Sequence, residues 1–384
     1  MMKALLSVPL SSAENALPDD DSVLGLCVSR GISRRRFMEF CVGVTATLAL
    51  PAAYAQTVAK ALSEKRKPTL VWLEFQDCAG NTESMLRTSH PTVEDLVLEA
   101  FSWEYHETIM AAYGKAAGSA LERVVREEKG KYIVVVEGAI PTADDGVYCT
   151  IGGRTALDIA HEVCGGAAEI IAVGACAWDG GLVRSGPNPT GAMGLQGAVS
   201  GLRVVNLPGC PHNSANLAAV LVHYLTFGVM PSLDGLNRPL FAYGDLIHDQ
   251  CERRAHYDAG RFVEQWDDEG ARKGWCLYKM GCKGPEANFN CPTVQWNGGT
   301  SWPVKACHGC IGCASPRFWD TKSPFYERLP HAAGFGVDVK ASEIGWVAIG
   351  GVAAATAVHG IVSIVRDRKQ ADAPDSAIEK VREQ

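Results

Sequence analysis

The chain has 384 residues, 47% of them hydrophobic and 21% charged, and a formal net charge of −7. That length allows two domains with a sizeable core, the apolar share is that of a globular protein, and the acidic balance excludes nucleic acid as an expected partner. The one departure from ordinary composition is fourteen cysteines.

The first segment, 1–55, reads as an export leader. Ser33-Arg34-Arg35-Arg36-Phe37-Met38 matches the twin-arginine pattern, an apolar run follows over 41–50, and Ala53-Tyr54-Ala55 is a small-x-small cleavage site. Cleavage after Ala55 is expected to leave Gln56 first. Twin-arginine export carries folded proteins, which suits a protein whose metal centres are inserted in a reducing compartment. It also weakens a disulfide reading of the remaining cysteines.

Residues 69–240 read as an α/β domain. The runs 69–75 (TLVWLEF), 132–136 (YIVVV), 170–174 (IIAVG) and 202–207 (LRVVNL) are short, apolar and β-branched, as buried parallel strands are. Helix patterns lie at 156–163 and 217–225, and another starts at Pro91 with Thr92 as its cap. Alternating strands and helices predict a doubly wound parallel sheet. Cys78, Cys176 and Cys210 each follow a strand and sit beside glycine. Open α/β sheets place ligands past the carboxyl ends of their strands, so these three thiols are expected to converge on one rim. Cys164, inside a helix pattern, reads as a small buried hydrophobe; Cys149 leans the same way.

The stretch 246–313 is different. It holds seven cysteines, in HDQC (248–251), GWCLYKMGC (274–282), FNC (289–291) and ACHGCIGC (306–313), with little hydrophobic periodicity. Side-chain packing alone is not expected to hold it; disulfides, zinc and iron–sulfur clusters are the candidates. Near the end, 344–365 is a 22-residue run without Asp, Glu, Lys or Arg. As a helix it spans roughly 33 Å, enough for a bilayer. Arg366, Arg368 and Lys369 follow and orient that end toward the cytoplasm. The final charged segment, 369–384, reads as disordered.

Taken together, CAGNTES (78–84), HPTVEDLVL, GACAWDGG, NPTGA, LPGCPHN, the His248/Cys251 pair, GWCLYKMGCKGP and FNC…WPV…CIGC resemble the electron-transferring small subunit of membrane-bound uptake [NiFe]-hydrogenases. The resemblance runs from about Leu70 to Tyr326. It implies a flavodoxin-like α/β domain (69–240), an irregular iron–sulfur domain (241–330), one transmembrane anchor (344–365) and a cytoplasmic tail (366–384). It implies two [4Fe–4S] clusters and one [3Fe–4S] cluster: a proximal one on Cys78, Cys176 and Cys210, a distal one on His248, Cys251, Cys276 and Cys282, and a medial three-iron one on Cys291, Cys310 and Cys313. Pro303 matches the proline that replaces a fourth medial ligand. The implied partners are a separate large subunit that bears the Ni–Fe site and a membrane cytochrome b, and the implied location is the periplasmic side of the inner membrane. On this resemblance His359, within the span, is either near a haem or hydrogen-bonded in a helix bundle.

Three positions depart from the family pattern. Asn81 stands where the fourth proximal cysteine belongs; it is either a poor ligand or a helix N-cap. An oxygen ligand, loss of an iron and recruitment of another thiol remain open. Cys307 is an extra thiol, either free and buried or acting on the medial centre. Gly80 and Gly181 occupy the positions of the two additional cysteines of oxygen-tolerant relatives. Of the remaining side chains, His106 and His223 fall in helix patterns and read as packed, His90 as a loop or interface residue, and Glu74 and Asp77 either as candidates for proton movement or as solvated or capping residues. Two rival readings are a non-hydrogenase cluster module, such as the related subunit of respiratory complex I, and a secreted protein stapled by zinc or disulfides.

Overall fold

The structure is a computed structural model, which describes residues 34–64, 67–88, 101–328 and 341–371. Its centre is a five-stranded parallel sheet of β1 (Thr69–Glu74), β2 (Ser102–His106), β3 (Ile133–Glu137), β4 (Glu169–Val173) and β5 (Val205–Leu207), in the order β2-β1-β3-β4-β5. Pairing is in register, with Leu70 beside Ile133, Ile133 beside Glu169 and Ile171 beside Val205. The 2-1-3-4-5 order is the flavodoxin-like one, and its switch of direction lies between β1 and β3.

Strand alternation divides the core. Leu70, Trp72, Ile133, Val135, Ile171, Val173, Val205 and Leu207 face one side, and Val71, Leu73, Val134, Val136, Ile170 and Ala172 the other. Both faces are covered, which is why the strands read as continuous apolar runs. The helices are α1 (Arg34–Thr47), α2 (Tyr54–Glu64), α3 (Gly80–Leu86), α4 (Lys115–Glu127), α5 (Ala156–Gly165), α6 (Gly174–Asp179), α7 (Ser214–Phe227) and α8 (Ala341–Ala371), beside several single turns. On the second face lie α4, through Leu121 and Val124, and α5, through Ile159, Ala160 and Val163. The first face receives α7. That helix starts where Asn213 Oδ1 accepts the Ala215 N–H at 3.0 Å and stops at Gly228 with φ 73°.

Residues 241–328 form short turns rather than long elements, as expected. They are not isolated from the core: Ile247, Val263, Leu277, Phe289, Trp302 and Val304 are buried in the same cluster as Trp72 and α7. Sparse apolar residues suffice because the sheet supplies the other half of the contact. The buried amides of Asn216 on α7 and Asn290 bond each other reciprocally, at 2.9 and 3.0 Å, and fix this seam.

The described part of the expected leader, from Arg34 on, forms α1 and the beginning of α2. Phe37, Phe40, Cys41, Val44 and Leu48 bury themselves against the first face, and the expected cleavage point follows Ala55, which is buried in the first turn of α2. The C-terminal helix α8 contains an apolar stretch, Ile349–Arg366, exposed along its length and long enough to cross a membrane. It continues through Ala371, so the charged segment expected to be disordered from 369 begins as helix. The helix expected to start at Pro91, and His90, lie outside the described residues. His106 is packed as expected, stacked on Trp72 and Trp103, but not in a helix: it ends β2, a strand whose polar SWEYH sequence gives little apolar signal. His223 does lie in a helix, α7, with Nδ1 2.9 Å from the Val229 carbonyl.

Candidate metal-cluster site

The sheet brings the three rim cysteines together. Cys78 follows β1, Cys176 lies in the first turns of α6 directly after β4, and Cys210 follows β5. They lie within electrostatic reach: Cys78 of Cys176, and both of Cys210. The rim is open on this chain, with Cys78 and Cys210 exposed. Glycine leaves room beside the thiols. A Cβ at Gly181, where φ is +49°, would fall 2.7 Å from Cys176 Sγ, and one at Gly80 3.1 Å from Cys78 Sγ.

LPGCPHN serves this rim at three consecutive levels. Cys210 supplies a thiol, the His212 N–H bonds Asn81 Oδ1 at 2.8 Å, and Asn213 caps α7. Asn81 itself is inside α3, whose N-cap position is Ala79 without a side-chain cap bond, so the N-cap reading of Asn81 is not what forms.

Beneath the rim lies a buried acidic network. Glu137, fully buried at the end of β3, accepts the N–H of Asn81 at 2.8 Å, the N–H of Thr82 at 3.0 Å and the indole N–H of Trp72 at 3.2 Å. The Thr82 hydroxyl lies 2.7 Å from Glu137 Oε2 and 2.8 Å from Glu74 Oε1. One hydroxyl carries one proton, so one of these contacts is closed by a protonated carboxyl. Burial raises the Glu137 carboxyl against the pull of its hydrogen bonds. Burial likewise pushes Asp77 up to about 6 and Glu107 up to about 7. Glu74, read from sequence as a proton-handling candidate, is in this network; Glu137, Thr82 and His212 were not legible. The only available signal was an acidic residue ending an otherwise apolar strand.

A second group contains Cys291, Cys310 and Cys313, which lie within electrostatic reach of one another. The third contains Cys251, Cys276 and Cys282, likewise mutually coupled. His248, in the turn Ile247–Gln250 just before Cys251, is 7% exposed and lines one small cavity with Cys251, Cys276 and Cys282. Burial lowers its basicity, leaving a neutral imidazole able to ligate.

The groups are joined in series. Cys210, from the first group, lies within electrostatic reach of Cys313 in the second. The N–H of Cys310, in the second, donates to Cys282 Sγ of the third at 3.2 Å. Arg253, 7% exposed, donates its main-chain N–H to Cys251 Sγ at 3.4 Å and Nη2 to Cys307 Sγ at 3.3 Å. Cys307 is therefore exposed and hydrogen-bonded, which corrects the expectation of a free buried thiol. Pro303 is exposed between buried Trp302 and Val304. Cys164 is buried in α5 as expected, and Cys149 is half-buried.

Burial pushes the thiols up, Cys176 to about 11 and Cys210 and Cys276 to about 12. Bare, they stay protonated at neutral pH. Positively charged iron reverses this, because metal ligation expels thiol protons. Three soft donors per group, preset N–H···S bonds and an imidazole on the third suit iron–sulfur clusters. Among the described residues no three His, Cys, Asp or Glu side chains form a site for a single metal ion.

Comparison with known proteins agrees across the whole arrangement. Residues 243–326 match the C-terminal family model of the NiFe/NiFeSe hydrogenase small subunit, and residues 78–224 the model described as NADH ubiquinone oxidoreductase, 20 Kd subunit. The chain is 45% identical to the uptake hydrogenase small subunit of Azotobacter vinelandii, over 88% of this chain and 94% of that one. The chain belongs to the [NiFe]-hydrogenase small-subunit family. The quinone-reactive Ni/Fe-hydrogenase small chain of Wolinella succinogenes is 44% identical over 88% of this chain and 98% of its own. Among solved structures, the [NiFeSe]-hydrogenase of Desulfomicrobium baculatum aligns with a TM-score of 0.65 and 31% identity, over 69% of this chain and 100% of that chain. An actinobacterial-type NiFe-hydrogenase from Ralstonia eutropha gives 0.65 at 26% identity, over 76% and 90%. As a hydrogenase small subunit the chain is an oxidoreductase component that acts within a complex. The match over 243–326 excludes a module related to complex I alone, since both halves of the chain have counterparts in this one family.

Proposed function

We propose that this small subunit serves H₂ uptake at a membrane, taking electrons from the Ni–Fe site of a large subunit and delivering them to a membrane cytochrome b and quinone. Proximal, medial and distal centres would be held by the ligand sets read from the sequence: Cys78, Cys176 and Cys210; Cys291, Cys310 and Cys313; and His248, Cys251, Cys276 and Cys282. When bound, iron–sulfur clusters supply one-electron steps without proton chemistry of their own. The work of the chain is to ligate, space and tune them. The observation that carries this reading is the serial arrangement of three thiol groups, with Cys210 of the first within electrostatic reach of Cys313 in the second and the Cys310 N–H of the second bonded to Cys282 Sγ of the third. Such bonds stabilise charge on sulfur and set potential, and they keep neighbouring groups at fixed separation. The neutral imidazole at the third group replaces an anionic thiolate, which favours a higher potential at the outlet.

Export through the twin-arginine leader and anchoring by α8 would place the subunit on the periplasmic side of the inner membrane. The exposed apolar surface of α8, with Gly350, Gly351 and Ala354 allowing close approach, suits a partner helix. The test is H₂-dependent dye reduction by the membrane complex purified through this subunit, with iron and acid-labile sulfide measured on the same sample. Activity with sulfide and iron in near-equal amounts is expected. Zinc without sulfide would end the cluster reading, and a nickel-loaded complex with sulfide but no H₂ oxidation would end the uptake reading.

A further inference from the structure

Asn81 occupies the place of the fourth proximal thiol, and its side chain is already engaged. It is 6% exposed, in the first turn of α3. Oδ1 accepts the main-chain N–H of His212 at 2.8 Å and lies 3.2 Å from His212 Nδ1. His212 is fully buried, and the tautomer with its proton on Nδ1 satisfies this second contact. A carbonyl oxygen has two lone pairs, and both are then used. The amide nitrogen donates and has no lone pair for a metal. The carboxamide also lies against the turn leading to Cys176: a Cβ at Gly174, where φ is +82°, would fall 2.5 Å from both Oδ1 and Nδ2 of Asn81. No atom of the side chain is left to ligate iron.

We infer that the proximal centre is held by three thiolates, Cys78, Cys176 and Cys210, and that Asn81 is a positioning residue that ties α3 to the Cys210–Asn213 turn without touching iron. This rests on the iron–sulfur reading above. A four-iron cube on three thiolates would have one iron bound by solvent or a small anion, and that iron would be the removable one. Asp77 is the neighbouring side chain that could compete for it, because Oδ2 is buried without a hydrogen-bond partner while Oδ1 accepts the Ala79 N–H at 2.9 Å.

The experiment uses the intact complex with its large subunit, oxidised anaerobically with ferricyanide and followed by electron paramagnetic resonance and iron release. In each conversion [4Fe–4S]²⁺ gives one electron to ferricyanide, which becomes ferrocyanide, and yields [3Fe–4S]⁺ and free Fe²⁺. The medial three-iron signal is the internal standard. The three-iron signal of the wild type is expected to double on oxidation, with Fe²⁺ released, or to be doubled already on isolation. Asn81→Cys is expected to hold it at the undoubled value, and Asn81→Ala to behave as wild type. A wild-type signal that stays undoubled overturns the inference. If it then doubles only in Asn81→Ala, Asn81 is a ligand; if only in Asp77→Asn, Asp77 is. Absence of any three-iron signal, or iron without sulfide, would instead sink the underlying cluster reading.

Discussion

The main-chain N–H of Cys310 donates to the sulfur of Cys282 at 3.2 Å, across 28 residues of sequence. Cys310 belongs to the middle thiol group and Cys282 to the outer one, so this hydrogen bond ties the two groups together. Lys283 reinforces the link, its own N–H bonding the Cys310 carbonyl at 2.7 Å. Two groups locked through the main chain keep a short, fixed path between them whatever the surrounding loops do.

The outer group is also biased by charge. Arg253 is buried beside Cys251, Cys276 and Cys282, and its positive charge favours ionised sulfur at all three. A nearby cation stabilises the more negative, reduced state of a cluster. Arg253→Met is therefore expected to lower the distal potential by about 90 mV, equivalent to ~2 kcal/mol for one charge roughly 8 Å away at an effective dielectric near 20. A redox titration of the distal signal checks this, and an unchanged or raised potential would contradict it.

At the rim, Gly181→Ala places a methyl group 2.7 Å from Cys176 Sγ at a residue with φ +49°. The backbone strain is expected to cost about 1–3 kcal/mol. The displaced thiol should also lower proximal iron content while leaving the medial signal intact. Thermal unfolding and iron analysis of the complex measure the two effects separately.

Stability should depend on pH through Glu107. Burial raises its carboxyl to about 7 from an ordinary value of 4.5. A folded-state carboxyl that binds its proton more tightly than the unfolded one loses stability as pH rises from the unfolded value through the folded one. The penalty is absent below pH 4.5 and complete above about 7. Glu107→Gln is expected to stabilise the protein at pH 8 by about 1–2 kcal/mol, the linkage value reduced for solvent screening at a half-buried site. It should have little effect at pH 4.5. Denaturant melts at the two pH values decide the matter.

The seam between the sheet and the cysteine-rich segment is open to the same kind of test. Asn290→Ala strands the buried amide of Asn216, which is expected to cost about 1–3 kcal/mol. Because Asn290 immediately precedes Cys291, the medial signal should fall with stability. The double variant Asn216→Ala/Asn290→Ala should recover part of the loss, measured as a double-mutant cycle.

The sequence by itself determined the family, the parallel sheet and the arrival of Cys78, Cys176 and Cys210 on one rim. Apolar runs bounded by glycine report strands directly, and the carboxyl end of a parallel strand fixes where the next residue emerges. It also supplied the long apolar C-terminal run, because an uninterrupted absence of charge needs no partner to be read. Tertiary structure decided the rest. Asn81 reads as a cap or a ligand until His212, 131 residues away, is seen to hold its oxygen. Cys307 reads as a buried spare thiol until Arg253 is found beside it. His106 has a helical pattern around it but closes a strand, since pairing with β1 outweighs a weak local preference. Hydrogen bonds, burial and ionisation depend on groups distant in sequence, so only the folded chain shows which polar side chains remain available for chemistry.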